Sequence, residues 1–311
     1  MRTIVGADAL LDTDLSCAVT IGAFDGVHLG HRALIARCIA AAERLGVDPA
    51  VVTWDRHPLQ TLRPKLAPPL LSSPERKIEL LGETGVEVLC VLPFDREFST
   101  WSPERFVQDV LVTGLGAAAV VVGEGWRFGH KAAGNIDLLR ELGGTHGFEV
   151  EAVGLAGADG EVMSSSRTRA LITSGEMEQA ALLLGRPFDI DGVVVHGDGR
   201  GKDLGYPTAN LECDPLVARP PRGVYAGRLR VRGSWFRAAI SVGVNLTFGG
   251  EPGVSPVRIE AFVLDMDQEI YGDEVRLEFW KRLRDELKFD SIEGLIEQMG
   301  RDVEDTRALV G

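Results

Sequence analysis

The sequence predicts an α/β region with a parallel sheet, followed by a smaller antiparallel β region and a terminal helix. Up to about residue 185, apolar runs of strand length alternate with segments of helical periodicity. These runs are apolar on both faces, as is typical of parallel strands covered by helices on either side. Beyond residue 187, strand-like runs follow one another closely, separated by glycine or proline turns. The length of 311 residues also fits two domains, which we predict at 1–186 and 187–311.

The first region contains predicted strands at residues 17–21, 50–54, 86–92, 118–122 and 148–153. Helices are predicted over 32–42, from Ser73-Pro74-Glu75, from Ser102 to about Leu115, and near 136–142. A serine followed by a proline is a good helix start. The serine side chain caps free N–H groups, and proline needs no hydrogen-bond donor in the first turn.

The second region contains predicted strands at 191–196, 224–231, 235–242 and 257–264, which favours an antiparallel barrel or sandwich. A final amphipathic helix is predicted from Ser291 to Leu309. Its apolar side consists of Ile292, Leu295, Ile296, Met299, Val303 and Leu309.

The composition argues against two classes of partner. The formal charge is −13, from 33 basic and 46 acidic residues, whereas a nucleic-acid-binding protein needs a basic surface. No apolar run approaches the roughly 18 residues of a membrane span. The N-terminus lacks the apolar core of a signal peptide, so we expect a cytoplasmic protein with no membrane partner.

We also expect the cysteines to be reduced and buried, because their spacing is not that of metal ligands. They are Cys17, Cys38, Cys90 and Cys213. Whether the chain forms a homo-oligomer stays open.

The segment Gly22–His31 connects the first predicted strand to the first predicted helix. Free N–H groups and the positive end of a helix favour an anion such as phosphate there, and glycines let it approach the backbone closely. We therefore expect His28 and His31 to contact a phosphate and to stabilise charge that develops on a transferred group. A metal site is one alternative, although the nearest further histidine, His57, lies on another loop. A purely structural pair is the other.

The segment Ser164–Arg169 places consecutive hydroxyls and arginines ahead of another helical pattern. The hydroxyls either cap that helix or form part of a second phosphate site, because hydroxyls and arginine at a helix start bind phosphate. Two such sites in one α/β domain would suit a triphosphate.

The second region offers the segment Pro207–Asn210 and the lone acid Glu260. Alternate residues of an extended segment point the same way, so the Thr208 hydroxyl and the Asn210 amide oxygen can bind Mg²⁺ together with ATP phosphates. An ordinary turn is the alternative. Arg200-Gly201-Lys202 lies just upstream, where a basic loop can cover the phosphates. Glu260 interrupts an apolar run, and an outward, solvated carboxylate is its simplest interpretation.

These motifs occur together in a recognisable order. The first region contains Gly22-x-Phe24-Asp25-Gly26-Val27-His28-x-Gly30-His31, Val121-Val122-Gly123-x-x-x-Arg127-Phe128-Gly129 and Ser165-Ser166-x-x-Arg169. The second contains Gly197-x-x-Arg200-Gly201-Lys202-x-Leu204-Gly205-Tyr206-Pro207-Thr208-Ala209-Asn210-Leu211, Gly223-Val224-Tyr225-Ala226, Ile259-Glu260-Ala261-Phe262 and Tyr271-Gly272. The first set resembles the nucleotidyltransferase half of the bacterial riboflavin kinase/FAD synthetases, and the second resembles their flavokinase signature. The resemblance covers nearly the whole chain.

The resemblance implies a Rossmann-like nucleotidyltransferase domain, an antiparallel β-barrel flavokinase domain and a C-terminal helix. It implies that riboflavin is phosphorylated to FMN with ATP, and that FMN is then adenylylated to FAD with a second ATP, releasing pyrophosphate. The implied ligands are riboflavin, FMN, FAD and ATP as co-substrate, with Mg²⁺ as cofactor.

The resemblance also implies roles for particular residues. In the adenylyltransferase half His28 and His31 are catalytic, and ATP is bound by Gly22, Phe24, Asp25, Gly30, Gly123, Arg127, Ser165, Ser166 and Arg169. In the kinase half Glu260 is the general base for the riboflavin 5′-hydroxyl. ATP is bound there by Gly197, Arg200, Gly201, Lys202, Thr208 and Asn210. The implied Mg²⁺ ligands are Thr208 and Asn210.

The chain departs from the family pattern beside the first site. Gly125 stands where asparagine or aspartate is usual, Trp126 replaces a phenylalanine, and Val162 stands where arginine is common. Gly125 and Val162 remove side chains that can bind a ligand. The alternative function is therefore a riboflavin kinase whose adenylyltransferase half is impaired or inactive.

Two hypotheses from other classes are weaker. A nucleic-acid-binding barrel needs a basic face with many aromatic residues, but the chain is acidic and has 12 Phe, 5 Trp and 3 Tyr. A flavin-storing protein would not need two phosphate sites.

Overall fold

A computed structural model of the chain describes residues 1–10, 13–154, 163–197, 201, 205–243 and 257–310. The chain divides into two compact units. The first comprises Met1–Leu70 and Pro74–Ser165, and the second comprises Leu71–Ser73 and Ser166–Gly311.

The first unit contains a six-stranded parallel sheet. Its strands are β1 (Arg2–Val5), β2 (Cys17–Ile21), β3 (Asp48–Trp54), β4 (Val88–Leu92), β5 (Ala117–Gly123) and β6 (Glu149–Val153). They lie in the order β1-β4-β3-β2-β5-β6. β2 and β4 are buried along their whole length, which explains their continuous apolar runs. β3 and β5 lie on opposite sides of β2, so the direction in which the chain adds strands to the sheet reverses there. Ligands of such sheets bind at the carboxyl ends of the strands beside the reversal, which are β2 and β5 here.

Helices cover both faces of this sheet. They are α1 (Leu29–Leu45), α2 (Pro58–Leu62), α3 (Pro74–Gly82), α4 (Pro103–Phe106), which continues as a π-helical segment (Val107–Gly114), and α5 (Ile136–His146). Short 3₁₀ turns occur at Asp8–Leu10, Pro64–Leu66, Phe98–Thr100 and His130–Ala132. Successive residues of β2 enter different cores, since Val19 packs in one apolar cluster and Ala18 in the other.

The second unit is built around a closed antiparallel barrel. Its elements are α6 (Ser165–Ser174), α7 (Met177–Leu184), β7 (Phe188–Val195), β8 (Thr208–Cys213), β9 (Gly223–Val231), β10 (Ser234–Gly243), β11 (Arg258–Val263), β12 (Glu274–Arg284) and α8 (Ile292–Leu309). The barrel order is β10-β11-β8-β7-β12-β9. Of the two architectures that the sequence favours, the structure is therefore the barrel.

The terminal helix α8 differs in one respect from its predicted packing. Leu295, Met299 and Val303 line a cavity of the barrel unit, but Ile292 is 61% exposed. Ile296 and Leu309 are exposed as well. The fully buried positions of α8 are polar, namely Asp302 and Thr306. The Arg284 guanidinium donates two hydrogen bonds to the Asp302 carboxylate, so an ion pair and not the whole apolar side anchors the helix.

Every strand and helix predicted for the two regions is present, with ends shifted by a few residues. The structure adds three strands that the sequence did not predict. β1 is a four-residue edge strand, and β12 alternates apolar with charged residues and contains register shifts. β8 begins within the Pro207–Asn210 segment, so of the two alternatives left open there, extended backbone or a turn, the structure has the extended one from Thr208 onward. The four cysteines are free and buried, as predicted. Among the described residues, no helix combines the length and apolar character needed to cross a membrane.

Candidate active sites

The turn after β2 holds two non-glycine residues in the left-handed backbone region. Phe24 has φ 47° and Val27 has φ 41°, and both side chains are buried. Gly22 allows this arrangement, because a Cβ there would lie 3.3 Å from the Phe24 ring. Such strain persists only where packing enforces it, and it is common at functional sites. The turn that leads to His28 is therefore rigid.

His28 is the N-cap of α1, and its Nδ1 accepts a hydrogen bond of 3.3 Å from the backbone N–H of His31. The neutral ring must then carry its proton on Nε2, which leaves Nε2 as a donor. The His31 ring stacks on that of His28 at a centroid distance of 3.6 Å, and the Phe24 ring meets His31 edge-on at 5.1 Å. A Cβ at Gly30 would come within 3.1 Å of the His28 ring, so only glycine fits there without displacement.

Burial keeps both imidazoles neutral at neutral pH. It lowers the pKa of His28 from 6.5 to about 4. Burial and the neighbouring His28 together lower the pKa of His31 well below its usual value. His31 Nδ1 is buried and has no hydrogen-bond partner within the described part of the chain. The pair can therefore offer neutral N–H donors, and not full positive charges, to a phosphate.

One further side chain bonds to this turn directly, and a buried lysine interacts electrostatically with its Asp25. The Ser165 hydroxyl donates a hydrogen bond of 3.1 Å to the backbone carbonyl of Asp25, which brings two predicted motifs together. Lys77, on α3, is buried and donates from Nζ to the Trp54 carbonyl at 2.6 Å. Burial lowers the pKa of Lys77, against the attraction of the Asp25 and Asp55 carboxylates. Lys77 carries no signal in the sequence, because a single lysine on a helix normally faces solvent.

An aromatic cavity of about 710 Å³ opens at the carboxyl ends of the strands. Its aromatic walls are formed by Trp54, Phe94, Phe98, Trp101, Phe106, Trp126 and Phe128. Gly22, the first residue of the histidine turn, also lines it, as does the predicted site residue Arg127. Gly123 is the last residue of β5, and the chain continues from it to Trp126, Arg127 and Phe128. The aromatic residues are spread over more than 70 positions without regular spacing, so no sequence signal indicated that they line one cavity.

The remaining predicted residues of this half lie on α6. Ser166 and Arg169 belong to the first two turns of that helix and to the second unit. Val162 lies outside the described residues.

In the barrel, three of the predicted kinase residues lie on two paired strands. Asn210 of β8 is directly opposite Glu260 of β11, and Thr208 is opposite Phe262. The Thr208 hydroxyl donates to the Glu260 carboxylate at 3.4 Å. Along β8, Ala209 and Leu211 are buried while Thr208 and Asn210 are half-buried, so the two polar side chains share the other face. The structure thus brings together a hydroxyl, an amide and a carboxylate.

Two glycines pack tightly against these residues. A Cβ at Gly197 would fall 2.0 Å from Asn210 Nδ2, and one at Gly201 would fall 2.3 Å from the Tyr206 carbonyl oxygen. Any other residue would displace Asn210 or the segment before Thr208. Arg200 and Lys202 lie outside the described residues.

A cavity of about 280 Å³ lies beside Thr208 and Glu260. Its apolar lining includes Tyr206, Phe262, Leu287 and Phe289, and its polar lining includes Arg284, Glu286 and Asp302. In the described ranges no group of three or more His, Cys, Asp or Glu side chains could hold a metal ion. The oxygen donors of Thr208 and Asn210 nevertheless fit Mg²⁺, which prefers oxygen ligands and keeps part of its water and phosphate shell.

Comparison with known proteins agrees with both halves of this description. The family model for FAD synthetase matches residues 11–167, and the one for riboflavin kinase matches residues 184–310. A bifunctional riboflavin kinase/FMN adenylyltransferase of Listeria monocytogenes is 39% identical over 95% of this chain and 93% of its own length. The Bacillus subtilis protein of the same description is 35% identical, over 91% of this chain and 89% of its own length.

A solved structure has the same fold throughout. It is described as a macrolide-efflux protein from Streptococcus pneumoniae and is 31% identical, with a TM-score of 0.86 and 99% of both chains covered. The matches to both family models support two activities over a kinase alone. The chain belongs to the family of bifunctional riboflavin kinase/FMN adenylyltransferases.

Proposed function

We propose that this chain makes FAD from riboflavin in two ATP-dependent steps, the first in the barrel unit and the second in the α/β unit. The observation that carries the proposal is the same in both units: polar groups suited to phosphate lie beside a cavity with aromatic walls. A flavin phosphate combines a flat aromatic ring with an anion, so it needs such a pair of neighbouring features.

In the barrel unit, Glu260 accepts the proton of the riboflavin 5′-hydroxyl while that oxygen attacks the γ-phosphorus of ATP. The bond from the γ-phosphorus to its bridging oxygen breaks, and ADP leaves. Thr208 and Asn210 hold Mg²⁺, which offsets the negative charge of the phosphates when bound. We assign Gly197, Arg200, Gly201 and Lys202 to the ATP phosphates. The isoalloxazine ring occupies the cavity beside Tyr206 and Phe262.

In the α/β unit, an oxygen of the FMN phosphate attacks the α-phosphorus of ATP, and pyrophosphate leaves. A phosphate monoester has a second pKa near 6 and is already ionised at neutral pH. The step therefore needs no general base, which agrees with the low pKa of His28. His28 and His31 donate N–H hydrogen bonds to the reacting phosphates, beside the N-terminus of α1. The isoalloxazine ring of FMN occupies the aromatic cavity.

Other parts of the proposal rest on the sequence. Ser165 is assigned to the ATP of adenylyl transfer, and the same role for Ser166 and Arg169 stays a prediction. We also propose a domain boundary between residues 186 and 187, which lies just inside the riboflavin kinase match that begins at 184 and well after the FAD synthetase match ends at 167. We propose a cytoplasmic location without a nucleic-acid partner, supported by the charge of −13.

The proposal is tested by incubating the purified chain with riboflavin, ATP and Mg²⁺ and separating the flavins by chromatography. FMN should appear first and FAD should accumulate. FMN without FAD, even at high enzyme concentration, would contradict the adenylyl transfer step. Absence of both products would contradict both steps.

A further inference from the structure

A buried cation, Lys77, lies close to the histidine turn. It belongs to α3, is 9% exposed, and its Nζ donates a hydrogen bond of 2.6 Å to the backbone carbonyl of Trp54. Trp54 is the last residue of β3, the sheet neighbour of the strand β2 that leads into the turn. The residue before it, Thr53, donates from its hydroxyl to the Ala23 carbonyl of the turn at 3.2 Å. Lys77 therefore binds the strand end to which the histidine turn is itself bonded.

The charge of Lys77 is compensated by carboxylates, one of which lies in the turn. A lysine is seldom buried unless an opposite charge is near it. The carboxylates of Asp25 and Asp55 attract the Lys77 ammonium. Asp55 also accepts two hydrogen bonds from Arg56 and one from the backbone N–H of Phe94. Asp25 is 6% exposed and belongs to the turn, so a buried negative charge in the turn lies near a buried positive charge on α3.

The charge of Asp25 matters because we propose that the turn receives phosphate. Burial lowers the pKa of His28 to about 4 and, with the neighbouring His28, lowers that of His31 well below its usual value. The two imidazoles can donate hydrogen bonds, but they supply no positive charge at neutral pH. A buried carboxylate in the same turn repels an anion, and little water is present to screen that repulsion. A cation held near Asp25 offsets it.

We infer that Lys77 is a positioning residue for adenylyl transfer, which offsets the charge of Asp25 and thereby allows the histidine turn to accept the phosphates of ATP. The inference rests on the proposed transfer from ATP to FMN. Lys77 acts without touching the phosphates, because its ammonium is buried against the Trp54 carbonyl. Its effect should therefore be present only while Asp25 carries its charge.

Two substitutions separate the charge of Lys77 from its hydrogen bond. Lys77→Gln keeps a donor for the Trp54 carbonyl but removes the charge, and Lys77→Met removes both while keeping an apolar stem. In the full-length chain, both should raise the KM for ATP in FAD formation on the order of tenfold, the effect of one uncompensated charge several ångströms away. The riboflavin kinase rate of the same samples should not change, because it resides in the barrel unit. If Lys77→Gln keeps the KM for ATP of the parent chain, the hydrogen bond and not the charge is the role of Lys77, and the inference is overturned.

The same substitution in the Asp25→Asn background shows whether Lys77 acts through Asp25. Residues that act through each other have effects that do not add. Lys77→Gln should therefore raise the KM for ATP by less than about twofold when Asp25 is already asparagine. This comparison is independent of any other role of Asp25, because both proteins compared lack its carboxylate. A merely structural role of Lys77 predicts the same factor in both backgrounds, and that result would overturn the inference.

Arg44→Gln is the control for the change of net charge. Arg44 lies in the last turn of α1, is exposed and pairs with Glu149. Exposed charges are screened by water and salt, so this variant should keep the KM for ATP of the parent chain. An increase as large as that in Lys77→Gln would assign the effect to net charge and overturn the inference.

A binding measurement separates this inference from the proposed function. Pyrophosphate, the leaving group of the proposed transfer, is titrated with Mg²⁺ into the full-length chain by calorimetry, without ATP or flavin. Its affinity should fall in Lys77→Gln relative to the parent chain, but not when the same change is made in Asp25→Asn. If the parent chain forms no FAD yet shows this pattern, the proposed adenylyl transfer fails while the role of Lys77 stands. Equal affinity in the parent chain and Lys77→Gln would overturn the inference even if FAD is formed.

Discussion

His28 has a structural role in the described fold and a chemical role that we propose. Its Nδ1 caps α1, which leaves Nε2–H as the donor that we propose faces a phosphate. We predict that His28→Ala lowers the rate of FAD formation from FMN by about 10²–10³, the usual effect of losing one donor to a developing charge. Riboflavin kinase activity in the same sample should persist, because it resides in the barrel unit.

A second variant separates the two roles of His28. Asparagine is a good N-cap, so His28→Asn should restore most of the stability of α1 without restoring FAD formation. If His28→Asn formed FAD at the parent rate, capping and not donation from Nε2 would be the role of His28.

The burial of His28 predicts that the free energy of unfolding depends on pH. The folded pKa of His28 is about 4, below the ordinary 6.5, so the unfolded chain binds a proton first as the pH falls. The contribution of neutral His28 to the free energy of unfolding is complete well above pH 6.5 and is lost progressively as the pH falls to about 4. Between pH 7 and pH 5 it amounts to about 2 kcal/mol, at 1.36 kcal/mol per pKa unit.

Urea titrations of the parent chain and His28→Asn at pH 7 and pH 5 measure this effect. Both proteins lose stability from other groups, but the parent should lose about 2 kcal/mol more. An equal loss in the two proteins would show that His28 is not buried in its neutral form.

At the scale of elements, a buried ion pair anchors α8 to the barrel strand β12. The Asp302 carboxylate accepts hydrogen bonds of 2.9 and 2.7 Å from Arg284 and is 4% exposed. Removing one partner of a buried pair leaves the other charge uncompensated, which costs about 3–5 kcal/mol. We predict that Asp302→Ala lowers the free energy of unfolding of the barrel unit by about this amount, as measured by urea titration.

The same helix provides the control. Glu297 pairs with Arg301 one turn away, but both side chains are exposed to water. Exposed pairs at this spacing contribute only about 0.3–0.5 kcal/mol, so Glu297→Ala should have a small effect. Equal losses in Asp302→Ala and Glu297→Ala would contradict the role assigned to the buried pair.

At the scale of the whole molecule, each unit has its own cavity and its own polar groups, so the two steps should be separable. Glu260→Ala should lower FMN formation by about 10²–10⁴, the usual contribution of a general base, and still convert supplied FMN to FAD. We predict that an equimolar mixture of His28→Ala and Glu260→Ala makes FAD from riboflavin, because FMN is soluble and can pass through solution. Chromatography of the flavins over time measures this.

Each variant alone should make far less FAD from riboflavin than the mixture does. If the mixture made no FAD while each variant kept its remaining activity, FMN would have to stay within one molecule between the steps.

The organisation of the chain follows closely from local sequence. β2 and β4 are buried on both faces, and their unbroken apolar runs predicted this before any contact was known. The strands that were not predicted lack such an unbroken apolar run. β12 carries charged residues along its length, and β8 begins after a proline that suggests a turn.

The motifs that we propose to bind phosphate could be found in the sequence, because their residues are contiguous and glycines mark where the backbone can approach a ligand. The sequence by itself determined the two-part organisation and the histidine turn at the start of α1. It also offered Thr208 and Asn210 as a pair that faces the same way, but it did not predict the strand β8 that carries them. Only the tertiary structure decided that His28 and His31 are neutral, since their pKa values depend on burial by distant residues. The tertiary structure alone also assembled the aromatic cavity, because Trp54, Phe98 and Trp126 meet only where separate strands end at one edge of the sheet.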